Sequence, residues 1–410
     1  MMTTTLQDYA AIVGQEMIDE LYHLAERVRH RRLQHINSTP VGGGVAEILT
    51  RLVPLLCDLG LSVTWDVIKG DQAFFNVTKA FHNALHGQPE EISEDMLAIY
   101  RANLEMNLRQ MDFTGDCIVI HDPQPAGLVL RKSEIGRHWL WRCHIDISRP
   151  QPQVWQFLQP YIAQYDASLF SMPDFAQRLP LPQFMVAPAI DPLSDKNKEL
   201  KHGVIAGVLE KYQIDPSRPL LTQISRFDRL KDPLGVIAAY RLVKKRHDCQ
   251  LVLAGGGASD DPEGEAVLRE VRAQAADDPD IHVLLLPPFS DVEINALVRS
   301  STIVLQKSIK EGFGLTVSEA LWKKKPVIGG AVGGIKLQVI NGVTGFLVHS
   351  PEGAAHRAMQ LLADHQLRKH MGENGYQHVK QNFLLTRHVK DYLLVMLALE
   401  HPRPEVVNLY

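Results

Sequence analysis

Two carboxylates eight positions apart, Glu311 and Glu319, bracket the run Gly312-Phe313-Gly314-Leu315. The first opens a Gly-x-Gly loop. The second falls one to two turns inside the helix that the loop starts. The preceding segment, Ser301-Thr302-Ile303-Val304-Leu305-Gln306, is apolar and β-branched and reads as a buried strand. Strand, glycine loop and helix in that order leave backbone N–H groups free at a helix N-terminus, which suits phosphate or sugar oxygens. Glu319 can then meet a second part of the same ligand. A tight turn carrying two solvated glutamates has the same local sequence, so the neighbouring segments must decide.

Upstream, Leu220-Leu221-Thr222-Gln223-Ile224 reads as a strand, and Ser225-Arg226-Phe227-Asp228-Arg229-Leu230-Lys231 follows it. Arg226 and Lys231 therefore sit at a strand's C-terminal end, where open α/β sheets bind ligands. Two cations beside a glycine loop suit a diphosphate, since Arg grips oxygens bidentately and Lys acts as a compact charge. Downstream, Lys324-Lys325-Pro326-Val327-Ile328-Gly329 reads as the next short strand, and Gly333-Gly334-Ile335 forms a second glycine-bearing loop.

The first half carries its own candidates. Gly42-Gly43-Gly44 follows a predicted strand and leads into a helix predicted over 45–59. Glycine there lets the backbone approach a ligand closely. The run is not G-x-G-x-x-G, so it does not fit the dinucleotide fingerprint. His121-Asp122-Pro123-Gln124-Pro125 and His144-Ile145-Asp146 each follow a strand, so both histidines lie at one sheet edge. They suit sugar binding, core packing, or metal ligation with Asp122 and Asp146, though no spacing of the His-x-x-Glu-His kind supports a metal. Asp278-Pro279-Asp280 lies in a helix-to-strand loop and reads as a turn.

The elements that must position these residues alternate almost throughout. Strands are predicted over 33–37, 62–68, 116–121, 139–145 and 184–189, then over 220–225, 250–254, 281–286, 302–306 and 326–329. Amphipathic helix patterns such as Pro233 to His247 and Pro262 to Ala276 separate most of them. The fold class is α/β, with parallel sheets covered on both faces and two doubly wound domains. The break falls near Pro188-Ala189-Ile190-Asp191-Pro192-Leu193, giving domains over 1–193 and 194–385. A last helix, Thr386 to Glu400, is expected to cross back onto the first.

The chain has 410 residues, 45% hydrophobic and 22% charged, with a formal net charge of −4. That composition is globular, and it exerts no bulk pull toward nucleic acid or membrane. The basic cluster Arg27-Val28-Arg29-His30-Arg31-Arg32 ends a predicted helix, where cations oppose the dipole. Cys57, Cys117, Cys143 and Cys249 form no C-x-x-C pair and read as buried free thiols of a reducing compartment. The start, Met1-Met2-Thr3-Thr4-Thr5, lacks the pattern of a signal peptide, and no apolar run could span a bilayer, so a cytoplasmic enzyme is expected.

Two Rossmann-like domains with Arg226, Lys231 and the Glu311-x7-Glu319 motif resemble the retaining GT-B glycosyltransferases, the group that includes sucrose synthase. The stretches Asn37-Ser38-Thr39 to Gly44-Val45-Ala46-Glu47, Phe74-Phe75-Asn76-Val77-Thr78-Lys79, His121-Asp122-Pro123-Gln124-Pro125, Trp141-Arg142-Cys143-His144-Ile145-Asp146 and Ala331-Val332-Gly333-Gly334-Ile335 resemble its trehalose glycosyltransferring synthases. The resemblance implies a GT-B fold, two domains facing across a cleft. It implies reversible formation of trehalose from a nucleoside-diphosphate glucose and glucose, with retention of configuration. By position it implies Arg226 and Lys231 on the diphosphate, Glu319 on the ribose, Glu311 with Gly312, Phe313, Gly314 and Leu315 on the donor glucose, His121 near the anomeric carbon, and Gly43 and Gly44 under the phosphates. Glu47, Asn76, His144 and Asp146 are candidates for the acceptor glucose. No tightly bound cofactor and no protein-held metal are expected. The resemblance leaves room for Mg2+ travelling with the diphosphate and for a homodimer. A trehalose phosphorylase using inorganic phosphate and a sugar-nucleotide sensor without turnover are the alternatives.

Overall fold

The computed structural model of the chain describes residues 4–41, 43–135, 137–256 and 262–400. Among them, twelve strands form two six-stranded sheets in which every pairing is parallel. The first holds β1 (Arg32–Asn37), β2 (Ser62–Val67), β3 (Cys117–His121), β4 (His138–Arg142), β5 (Ala167–Phe170) and β6 (Gln183–Met185), in the order β2-β1-β3-β4-β5-β6. The second holds β7 (Leu220–Ile224), β8 (Gln250–Gly256), β9 (Ile281–Leu286), β10 (Ile303–Gln306), β11 (Val327–Gly330) and β12 (Gly345–Val348), in the order β12-β11-β10-β7-β8-β9. Strands such as Cys117–His121 and Leu220–Ile224 are buried at every residue. A parallel sheet covered on both faces requires this, and it explains the continuous apolar runs.

Chain contacts divide the molecule into two compact units. One runs to Ala189 and takes in the last helix from Leu385, and the other spans Ile190–Leu384. In the first unit the last helix, Leu385–Glu400, packs on the helices Gln15–Val28 and Gly43–Asp58. It buries Leu385, Val389, Tyr392, Leu393 and Met396, and Arg387 Nη2 donates to the Ala187 carbonyl at 2.7 Å. In the second unit a core of Leu221, Val236, Tyr240, Leu251, Val271 and Leu305 joins β7, β8 and β10 to the helices Pro233–Lys244 and Pro262–Ala275.

Four sequence expectations need correction. Two short strands, β5 and β12, lie outside the segments the sequence marks as strands. β4 ends at Arg142 and not at residue 145, because the Asp122 carboxylate takes the His144 N–H at 2.7 Å in place of a strand neighbour. The strand expected over 184–189 is only Gln183–Met185, and Pro188, which cannot donate to a ladder, lies beyond its end. Cys57 is exposed, while Cys117, Cys143 and Cys249 are buried, and all four are free.

Candidate active site

Numbered within its own sheet, the second unit's strands run 3-2-1-4-5-6 from the β9 edge. The order reverses between β7 and β10, and ligands of open α/β sheets sit outside the strand ends at such a point. The loop with Arg226 and Lys231 leaves β7 there, and the loop with Glu311 leaves β10 beside it. Lys231 Nζ lies 2.6 Å from Glu311 Oε2, and Ser308 Oγ donates to the same oxygen at 3.1 Å. Both side chains are largely buried, Lys231 at 19% exposure and Glu311 at 9%. Arg226 is different: its side chain is 57% exposed, with its nearest carboxylate, Asp228, at 3.7 Å. The structure thus brings Lys231 and Glu311 into direct contact, and leaves Arg226 exposed at the same strand end.

The glycine loops explain how Glu311 is held. Gly314 has φ +82 and caps the helix Leu315–Trp322. Gly333 has φ +43, and a Cβ on it would stand 1.7 Å from the Glu311 carbonyl oxygen. A Cβ on Gly334 would stand 2.5 Å from Phe313 Cα. The second glycine loop is therefore pressed against the backbone of Glu311 to Phe313, closer than any side chain permits. Gln338 bolts the two together. Its Nε2 donates to the Phe313 and Gly334 carbonyls at 2.6 and 3.1 Å, and its Oε1 accepts from Ser318 Oγ at 2.6 Å.

Glu319 is buried within this helix at 3% exposure. Lys196 Nζ lies 3.9 Å from Glu319 Oε1 and 3.9 Å from Asp291 Oδ1. Lys323 Nζ donates to Asn197 Oδ1 at 2.7 Å and to the Glu319 carbonyl at 3.1 Å. Burial brings the Lys323 ammonium down to about 7, against the pull of Glu319.

In the first unit the order β2-β1-β3 puts a reversal between β1 and β3. Gly43 and Gly44 follow β1. They are not a loop, as the sequence suggested, but the first turn of the helix Gly43–Asp58, where N–H groups lack intrahelical partners. Gly42 lies outside the described residues. Glu47 is exposed one turn into that helix, and Asn76 is exposed on the helix Gln72–Leu85, accepting from Gln72 Nε2 at 2.9 Å. Asp146 is buried and accepts from Ser148 N and Oγ at 3.0 and 2.6 Å.

His121, at the end of β3, is buried and has both ring nitrogens engaged. Nε2 meets His35 Nδ1 at 2.9 Å and Nδ1 meets His144 Nε2 at 3.0 Å. A substrate oxygen would have to displace one of these partners to reach a His121 nitrogen. Asp122, next in the chain, holds φ +67 and is half-buried, and desolvation raises its carboxyl to about 7. Left-handed backbone in a non-glycine residue is strained, and such strain gathers at functional sites. Among the described residues no three His, Cys, Asp or Glu side chains are grouped to hold a metal ion. No helix among them is long and apolar enough to cross a membrane.

Residues 35–177 match the family model of the trehalose synthase N-terminal domain, and residues 208–378 match that of group 1 glycosyl transferases. The trehalose synthase of Thermococcus litoralis is 44% identical over 395 residues, 95% of each chain. The chain belongs to the trehalose synthase family of glycosyltransferases. The trehalose phosphorylase of Pleurotus pulmonarius is 30% identical over 91% of this chain and 58% of its own length. Among solved structures, the sucrose-phosphate synthase of Thermosynechococcus elongatus superposes with a TM-score of 0.71 at 15% identity, covering 91% of this chain and 100% of that one. The likeness gives the fold, GT-B, as the motifs implied. As a trehalose synthase family member, the chain is an enzyme of trehalose-related glycosyl transfer.

Within this family site, sequence reading missed several residues. Lys307, directly after β10, is buried and ion-paired with Asp232, whose φ is +51 and whose Oδ1 accepts the Gly235 N–H at 3.0 Å. This pair anchors the far end of the Lys231 loop. Its signal was a lysine immediately following an apolar strand. Lys196 and Asn197 read as linker, and their contacts with Glu319 and Lys323 join segments more than a hundred residues apart. His35 read only as part of a strand, whose Gln34 and Asn37 are polar as well.

Proposed function

We propose that this protein makes trehalose reversibly from a nucleoside-diphosphate glucose and free glucose, with retention at the anomeric carbon. The observation that carries the reading is the Lys231–Glu311 contact at the β7–β10 reversal, with Glu319 buried in the helix that follows. Lys231 and Arg226 are the cations for the diphosphate. Their charge stabilises the negative charge that develops on the departing oxygen, which is the principal catalytic term for such a leaving group. Glu311 and the backbone of Gly312, Phe313, Gly314 and Leu315 hold the donor glucose, and Glu319 accepts from the ribose hydroxyls. Glu47, Asn76, His144 and Asp146 are assigned to the acceptor. No enzymic nucleophile is assigned.

A second reading has support in the 30% identity to a trehalose phosphorylase. Inorganic phosphate has no ribose, so that reading leaves the buried carboxylate of Glu319 without a ligand. The test is incubation of the protein with trehalose and either a nucleoside diphosphate or inorganic phosphate, followed by identification of the glucosyl product. A nucleoside-diphosphate glucose supports the proposal. Glucose 1-phosphate formed only with phosphate replaces it with the phosphorylase, and saturable nucleotide binding without any product would point to a sensor.

A further inference from the structure

The second unit opens on residues 191–199, which lead into the helix His202–Lys211. A connecting segment ordinarily runs over the surface with few bonds to the elements it joins. This one is bolted down. Asn197 is buried, and its Nδ2 donates to the Asp191 carbonyl at 3.0 Å and to Ser194 Oγ at 3.2 Å, which closes the segment on itself. Its Oδ1 accepts from Lys323 Nζ, at the end of the helix that carries Glu319. From the helix Asp291–Ser300, Asn295 Nδ2 donates to the Asp195 and Lys198 carbonyls at 2.9 and 2.8 Å. Arg299 Nη2 donates to the Asn197 and Lys198 carbonyls at 3.1 and 3.0 Å. The backbone is therefore pinned immediately before and immediately after residue 196.

What the pins hold is Lys196. Its Nζ stands 3.9 Å from Glu319 Oε1 and 3.9 Å from Asp291 Oδ1, between two helices. The two carboxylates are unlike. The Asp291 side chain is 46% exposed and has water to solvate it, whereas that of Glu319 is 4% exposed. A carboxylate that deep keeps its charge only beside a counter-charge. The neighbouring cations are committed elsewhere. Lys323 turns its ammonium to Asn197 and to the Glu319 backbone carbonyl, and Arg299 Nη1 pairs with Glu199 at 2.8 Å. A separation of 3.9 Å is an ion pair and not a direct hydrogen bond, so Lys196 supplies charge without filling an acceptor site on the oxygen. The charge matters to a vicinal diol. An ionised carboxylate accepts from both hydroxyls, through bonds stronger than neutral ones, while the protonated acid turns one oxygen into a donor.

We infer that Lys196 is the positioning residue of nucleotide recognition: it keeps the Glu319 carboxylate charged and in place to accept from the two ribose hydroxyls, so the preference for a ribonucleotide depends on the segment that opens the second unit. The inference rests on the proposed reading of Glu319 as the ribose acceptor. It adds the residue through which that acceptor is held, and it gives the pinning of residues 191–199 a purpose beyond joining two elements.

The experiment compares ribose with a ribose that has lost its diol. Calorimetry on the full chain gives Kd for ADP, GDP and UDP, and for the 2′,3′-dideoxy counterpart of whichever binds tightest. Wild type should prefer the ribonucleotide by about tenfold or more, the scale of a charge-assisted hydrogen bond. Lys196→Met should weaken the ribonucleotide about tenfold and the dideoxynucleotide by less than about twofold, so that the preference collapses. Lys196→Arg, which keeps the charge, should restore most of it. Added to Glu319→Gln, Lys196→Met should change neither constant by more than about twofold, because the two residues act as one unit. Equal losses for both nucleotides in Lys196→Met would make Lys196 a structural brace and overturn the inference, as would an undiminished preference. Lys196→Gln, which keeps a polar side chain, takes the same measurement if the Met variant does not fold. These results leave the proposed function standing. A wild type that binds none of the nucleoside diphosphates overturns that function and the inference together, and one that binds both sugars alike removes Glu319 from the ribose and Lys196 with it.

Discussion

The Lys231–Glu311 pair offers the sharpest separation of structure from catalysis. Lys231→Met removes the ammonium and keeps most of the apolar stem. It leaves the Glu311 carboxylate, 9% exposed, without the cation 2.6 Å away. Stripping one partner from a fully buried ion pair costs about 3–5 kcal/mol. Here Ser308 Oγ still donates to the same oxygen at 3.1 Å and burial is incomplete, so a loss of roughly 2–3 kcal/mol is expected. Glu311→Gln added to Lys231→Met should restore most of that loss, because a neutral amide needs no counter-charge. Turnover should not follow. The double variant still lacks the cation for the leaving diphosphate, and losing one electrostatic stabiliser of a developing anion lowers kcat by about 10²–10³-fold. Urea unfolding and initial transfer rates at saturating substrates measure the two quantities on the same three proteins. Were the double variant to regain turnover together with stability, the pair would be a structural brace and the assignment of Lys231 to the leaving group would fall. The same follows if Lys231→Met alone transfers within about threefold of wild type.

Three further outcomes are expected. Glu319→Gln should weaken nucleoside diphosphate binding by about 1–3 kcal/mol, the scale of a charge-assisted hydrogen bond, and unchanged calorimetric affinity would remove Glu319 from the ribose. Gly333→Ala should abolish stable folding or transfer, since its Cβ would stand 1.7 Å from the Glu311 carbonyl oxygen; Gly342→Ala, at φ +79 with open space around it, should cost only the roughly 1–2 kcal/mol of left-handed backbone, and similar melting temperatures for the two would refute the packing argument. Lys323 titrates near 7 in the fold because of burial, and at its ordinary 10.5 when unfolded, so between these values the unfolded chain holds a proton that the native one lacks. Stability should therefore rise with pH through that window, by at most about 1.4 kcal/mol per pH unit from this group, and Lys323→Met should flatten the rise; an identical pH slope in both proteins would contradict the burial of the ammonium.

Much of the donor end was legible because parallel sheets bury their strands on both faces. Such strands announce themselves as apolar runs, and whatever polar residue follows one must stand at the carboxyl edge. That logic alone sets Arg226, Lys231, Glu311, His121 and His144 at strand ends. It cannot tell which strands are neighbours. β7 and β10 are separated by two intervening strands in sequence yet pair in the sheet, and only that pairing brings Lys231 to Glu311, eighty positions apart. The burial of Lys231 was illegible for the same reason.

The residues that no sequence pattern revealed share one property: each is polar, buried and paired with a segment remote in the chain. Lys307 with Asp232, Gln338 with Phe313, Asn197 with Lys323 and His35 with His121 all do their work inside, where a polar group is tolerated only when its partner is fixed. A motif reports the residues that face a ligand, because the ligand imposes their spacing. A supporting residue answers instead to whichever element the fold brings beside it, and its spacing follows from topology. Hence Glu311-x7-Glu319 could be read directly, whereas Gln338, which bonds both the Phe313 carbonyl and Ser318 within that stretch, could not. The supports are also where substitution should separate geometry from chemistry: Gln338 and His35 each bond a residue proposed to face the substrate, Phe313 and His121.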